Sequence, residues 1–192
     1  MSLGFLAALS RRRLLGGAGA MALLPAGAPG AATPASPARS SGGAGIDPTL
    51  PPKTELVLTI RADITPAVTI GPSAQGVRRL IPIVGGSFTG PRLSGVIVPG
   101  GADWQLERPD GVTTVEAKYT LKAEDGTLVS VTNRGIIVPP GGNTPATYVR
   151  TVPEFEAPMG PHDWLNKAVF VGSLDSSNFR QGYVVIRVFR VV

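Results

Sequence analysis

The sequence predicts an all-β fold: a single closed antiparallel β-barrel of about eight to ten strands with little helix. Three observations predict it. Glycine (25) and proline (19) supply 44 of the 192 residues, too many for a helix-rich protein and well suited to short strands joined by turns. Two long segments alternate apolar and polar residues with the period of a half-buried strand. No segment after Glu55 keeps a 3.6-residue apolar period, so no helix is available to cover a sheet, and strands left uncovered hide their edges by closing on themselves.

Taken in order, Glu55 to Thr65 places Leu56, Leu58, Ile60, Ala62 and Ile64 on one face, with Glu55, Thr59, Arg61 and Asp63 on the other. Short strands are expected at Ala67 to Gly71, Arg79 to Val84, Ser87 to Gly90, Leu93 to Pro99 and Trp104 to Arg108, each bounded by glycine or proline. Val112 to Ala123 sets Val115, Ala117, Tyr119 and Leu121 against Glu116, Lys118, Thr120 and Lys122. Glu124-Asp125-Gly126 is a hairpin turn signal, so this strand pairs with Thr127 to Val138. Tyr148 to Phe155 follows. Ala168 to Leu174 ends at Asp175-Ser176-Ser177-Asn178 and pairs with Gly182 to Val192, which is rich in β-branched and aromatic residues. No internal repeat is visible, which disfavours a propeller or solenoid.

The N-terminal part reads differently. Ser10, Arg11, Arg12, Arg13, Leu14 and Leu15 precede a weakly apolar Ala/Gly/Leu/Met stretch that ends at Leu24, too short to span a bilayer. Residues 1–32 therefore resemble a twin-arginine signal peptide, with cleavage expected between Ala28 and Ala38. The alternative is a retained membrane anchor. The signal implies the twin-arginine export machinery as a partner, a periplasmic or secreted location and no stable membrane anchor after processing. Residues 33–54 are Ala, Pro, Gly and Ser with hardly a large side chain, and read as a disordered linker. The folded part is then residues 55–192, about 140 residues, enough for one core.

Composition removes several classes of function. With no cysteine there is no disulfide, thiolate nucleophile or iron–sulfur site, and one histidine is too few for an ordinary zinc centre. Removing the first 32 residues takes Lys+Arg from 18 to 15 against 13 acids, a net of +2, so the basic balance belongs partly to the leader and gives no nucleic-acid footprint. Neither G-x-S-x-G nor a phosphate-binding glycine loop occurs. No cofactor motif is present, and a carboxylate-only calcium site has no loop signature.

The run Pro82 to Trp104 (PIVGGSFTGPRLSGVIVPGGADW) is followed by RPDG (Arg108 to Gly111), AKYTL (Ala117 to Leu121), NRG (Asn133 to Gly135), YVRTVPEFE (Tyr148 to Glu156) and WLNK (Trp164 to Lys167). In order and spacing these blocks strongly resemble the domain-of-unknown-function 3237 family, also called uncharacterised protein family 0311, across Glu55 to Val191. The resemblance implies a closed antiparallel barrel, similar in outline to allene oxide cyclase and dirigent-type barrels. It carries no assigned activity. Tyr148-Val149 stands where family members commonly have an aromatic pair.

Candidate chemistry gathers in these blocks. Asp103, between a glycine turn and Trp104, is a candidate acid or base at a barrel mouth, the alternative being a turn cap. Arg134 shares its alternation face with Ser130 and Thr132, which suits a polar patch inside the barrel able to grip an oxyanion. Arg150 is weighed in the same way. The plainer reading of both is a buried arginine held in a structural pair with Asp103 or Glu116. Tyr119 lies on the apolar face of its strand, and either fills the core or orients a ligand. Trp104, Arg150, Trp164 and Asn166 are expected to bind the ligand, with Asn166 alternatively capping its loop, and His162 reads as a solvated loop residue. Two functions follow from the same set. One is a cofactor-independent isomerase, cyclase or lyase acting on a small apolar or aromatic carbonyl compound, with Asp103, Arg134 and Tyr119 as catalytic residues. The other is a non-catalytic periplasmic binding protein for an anionic or phenolic ligand. A homo-oligomer is compatible with the sequence, which specifies none.

Overall fold

A computed structural model describes residues 49–141 and 147–192. The signal peptide and most of the linker expected from the sequence lie outside the described residues. The described residues form nine strands: β1 (Thr54–Ile64), β2 (Val68–Ser73), β3 (Gly76–Thr89), β4 (Gly95–Glu107), β5 (Thr113–Ala123), β6 (Leu128–Val138), β7 (Tyr148–Glu156), β8 (Phe170–Asp175) and β9 (Tyr183–Val191). Their order is β1-β9-β8-β7-β6-β5-β4-β3-β2, and a further antiparallel β1–β3 pairing closes eight of them into a barrel. β2 is the ninth strand, pairing with the part of β3 that runs beyond the end of β1. Among the described residues helix is confined to two short 3₁₀ segments, Asp163–Lys167 and Phe179–Gln181, and none is long and apolar enough to cross a membrane.

Two breaks between the expected short strands are bulges, which is what glycines lying within strands between Gly85 and Gly101 mark. The runs 79–84 and 87–90 are one strand, as are 93–99 and 104–108, because Gly85-Gly86 and Gly100-Gly101 each shift the register without ending the pairing. Such bulges bend a strand and sharpen its twist, as a narrow barrel requires. Gly86 has φ +133°, and a Cβ there would stand 2.1 Å from the Arg61 carbonyl oxygen. The glycine is thus demanded twice, by its dihedral and by close backbone approach.

Alternation fills the interior. Leu58, Ile60, Ala62 and Ile64 of β1 are buried as expected, but Leu56 is 46% exposed and Val57 replaces it inside, since a bulge between Leu56 and Leu58 reverses the parity. One end of the barrel is solidly packed. There Phe155 meets Phe170 edge to face at 5.0 Å between centroids, and Trp164 meets Phe170 at 6.1 Å. Leu165, carried in by the 3₁₀ segment, joins the same cluster with Leu58, Leu93, Leu121 and Val129.

Candidate functional site

The other end is hollow. A cavity of about 350 Å³ lies between the strands, with walls of Ala62, Ile64, Ile81, Ile83, Val115, Ala117, Ile137, Val184 and Ile186 among others. Phe179 and Ser176, from the β8–β9 connection, border it. An apolar cavity of this size with a few converging polar groups is the usual form of a small-molecule site.

The polar groups come from five neighbouring strands. On β4, Asp103 and Gln105 lie two residues apart and both face inward. Gln105 Nε2 donates to Asp103 Oδ2 at 2.6 Å, and the Glu116 backbone N–H donates to Asp103 Oδ1 at 3.1 Å. Arg79 of β3, the cross-strand partner of Gln105, donates from Nε to Gln105 Oε1 at 3.1 Å and places Nη2 3.4 Å from Glu107. That bond fixes which way the Gln105 amide points. Burial pushes the Asp103 carboxyl above its ordinary value, and the hydrogen bonds from Gln105 and Glu116 and the charge of Arg79 only partly oppose it. Tyr119, buried on β5, has its phenol pushed up strongly by burial and then by the Asp103 charge, so it stays protonated and available as a donor.

Register sets the rest of the row. Asp103 of β4, Ala117 of β5 and Asn133 of β6 are successive cross-strand partners, so a methyl group separates the carboxyl from the amide. On β7, Thr151 stands between Gly135 and Gly172. A Cβ at Gly172 would reach 2.2 Å from Thr151 Oγ1. Asn133 and Thr151 are 4% and 1% exposed, yet Asn133 Oδ1 and Thr151 Oγ1 have no hydrogen-bond partner. Buried polar atoms are rarely left unpaired without a reason. Both line the cavity.

The structure brings together Asp103 and Tyr119 and does not bring the other expected residues to them. Arg134 is on the outer face of β6, 3.0 Å from Glu154 and 3.5 Å from Glu116. Of the plainer reading, a buried pair with Asp103 or Glu116, only the Glu116 partner is found, since the pair lies exposed on the outer surface; Lys118 above all, with Arg134, holds Glu116 below its ordinary value. Arg150 is also outside, donating to the Val149 carbonyl at 2.7 Å beside the Tyr148 ring. Trp104 is 40% exposed on the outer face of β4. Trp164 belongs to the packed end, where Arg92 stacks on it at 4.4 Å. Asn166 ties down the β7–β8 connection, its Oδ1 accepting from Ala157 N–H and its Nδ2 donating to Ala157 O, both at 2.8 Å. His162 is not solvated. It is 8% exposed and lies 2.8 Å from Asp125 Oδ2; backbone and side-chain hydrogen bonding at Thr127, and then His162 itself, hold Asp125 below its ordinary value. An ionised carboxylate can only accept, so Nε2 carries the proton in that pair.

Sequence reasoning missed Arg79, Gln105, Asn133 and Thr151. Three of these, Gln105, Asn133 and Thr151, stand one position along the strand from a candidate residue (Trp104, Arg134 and Arg150). The remaining signal was the valine alternation of β6, Val129 and Val131, which puts Asn133 on the inner face and Arg134 on the outer.

Fold and cavity together define a small closed β-barrel with a largely apolar lumen and a half-buried carboxyl at one end. Residues 52–191 match the family described as "Protein of unknown function (DUF3237)", and the chain belongs to it. A UPF0311 protein of Bradyrhizobium diazoefficiens is 40% identical over 139 residues, 67% of this chain and 90% of that protein. The crystal structure of a conserved protein of unknown function from Rhodopseudomonas palustris has a TM-score of 0.68 at 37% identity, covering 75% of this chain and all of that one. A more distant relative, 25% identical over 128 residues, 67% of this chain and 78% of its own length, is the hydroalkoxylation enzyme of Penicillium herquei.

Proposed function

We propose that the lumen binds a small apolar or aromatic molecule and that Asp103 transfers a proton to it, in a cofactor-independent isomerisation, cyclisation or elimination. The observation that carries this is the Asp103 carboxyl, its pKa raised by burial, set in an apolar cavity beside polar atoms that have no protein partner. Burial favours the neutral acid, which is the form that donates. Tyr119 keeps its own proton and orients the ligand as a hydrogen-bond donor. Arg134 and Arg150 play no part in holding developing negative charge, because both face outward. The relative named for hydroalkoxylation gives support from chemistry: adding an O–H across a double bond requires a proton to be delivered to carbon, the task assigned here to Asp103.

Native mass spectrometry of freshly purified protein identifies any co-purifying molecule, and incubation with that molecule follows. Expected is conversion whose rate is highest at low pH and falls as pH rises through the Asp103 pKa, which lies above the ordinary 3.8, because the donor form is lost on ionisation. A rate that rises with pH over that window assigns Asp103 as a base instead, and an unchanged ligand after long incubation leaves binding alone.

A further inference from the structure

We infer that the lumen selects a neutral molecule presenting a hydroxyl to the slot over Ala117, between Asp103 and Asn133, and rejects carboxylates and ammonium ions. This rests on the lumen being the binding site. It fixes the polar chemistry of the ligand, which the function proposed above leaves open.

The slot follows from register. Asp103, Ala117 and Asn133 sit side by side on three adjacent strands, and the small central residue leaves room between two polar side chains. Asn133 Oδ1 and, one strand further on, Thr151 Oγ1 are buried without a partner. Both can accept a hydrogen bond, so a ligand hydroxyl satisfies what the protein leaves unsatisfied.

Charge decides what that ligand cannot be. Among the described residues lining the cavity, Arg79 is the one cation and Asp103 the one acid. Arg79 is already engaged, by Gln105 through Nε and by Glu107 at Nη2. With Asp103 ionised and Glu107 counted, this end carries one positive and two negative groups. A carboxylate placed here meets Asp103 with no free counter-ion. An ammonium can donate to Asp103, Asn133 or Thr151, but it gives up its hydration shell in a lumen whose walls are mostly apolar, a cost that one ion pair does not repay. A hydroxyl needs only one acceptor and one donor and loses little hydration on entry.

The test is a competition titration of the full chain near pH 8, with neutral phenylnaphthylamine as the fluorescent reporter and naphthalene, naphthol, naphthoate and naphthylmethylamine as competitors. Naphthol is expected to displace the reporter at concentrations about tenfold or more below those needed for the other three. Asn133→Leu is expected to bring naphthol down to the level of naphthalene while naphthalene itself is unchanged. Thr151→Val, nearly isosteric, gives a second reading should the first variant fail to fold: a reduced hydroxyl advantage supports the slot, and an unaltered one overturns it. Naphthoate or naphthylmethylamine binding as tightly as naphthol overturns the charge argument and leaves the lumen as the binding site. Failure of the reporter to bind at all removes the site, and the inference with it.

Discussion

Replacing Asp103 with asparagine is expected to lower turnover by about two to four orders of magnitude, the usual weight of a positioned acid or base, while an apolar ligand still binds. The two effects separate because the side chains are nearly the same size. The cavity keeps its volume, and the amide oxygen can still accept a hydrogen bond from Gln105 Nε2 or from the Glu116 N–H, which now serve Asp103. What is lost is the dissociable proton. The amide nitrogen must also face one of those two donors, and a thermal melt run beside the assay measures that cost. The check is turnover of the co-purifying molecule alongside its dissociation constant. Turnover within a few-fold of the parent protein removes Asp103 from the chemistry, whereas loss of binding together with turnover makes it a binding residue only.

The second large effect is on stability. Leu165→Ala is expected to destabilise the barrel by about 2–5 kcal/mol, the range for emptying a leucine site in a core, with a fall in melting temperature on the order of 10 °C for a folded part of this size. Leu165 is 1% exposed and packs in the same cluster as Phe155 and Phe170. The segment that carries it cannot easily collapse into the void, because Asn166 ties it to both backbone groups of Ala157 and His162 ties it to Asp125. Urea unfolding at constant slope measures the loss. A change below about 1 kcal/mol would mean that the packed end yields and that this leucine is not held as described.

How far the sequence could be read depended on whether parity or register was at stake. The alternation of β5 is clean, so Tyr119 was correctly placed on the face that turns inward with Val115 and Leu121. On β6 two patterns competed. Ser130, Thr132 and Arg134 resemble a polar lumen, but the other parity contains Val129 and Val131, and burial of valines outweighs the arrangement of hydroxyls. The inner residue is therefore Asn133. The double glycines at 85–86 and 100–101 signal equally a turn or a bulge, and only the pairing of β3 and β4 with their neighbours decides between them. Arg79 and Gln105 could not be read from the sequence at all. They meet because a cross-strand register places them opposite one another across 26 residues of chain. The His162–Asp125 contact, across 37 residues, is illegible for the same reason. Trp164 and Asn166 stand in a distinctive block because they build the packed end of the barrel, and a block that preserves packing looks no different in one sequence from a block that preserves a site.

That the hollow end is where a ligand sits is tested most directly by filling it. Ala117 lines the cavity in the middle of the Asp103–Asn133 row, and Ala117→Leu puts a branched side chain into the space a ligand needs. Titration of phenylnaphthylamine into the parent protein is expected to give a single saturable site, weakened by about tenfold or more in the leucine variant while its melting temperature holds. Equal affinity in the two proteins would place the ligand outside the lumen and contradict the account.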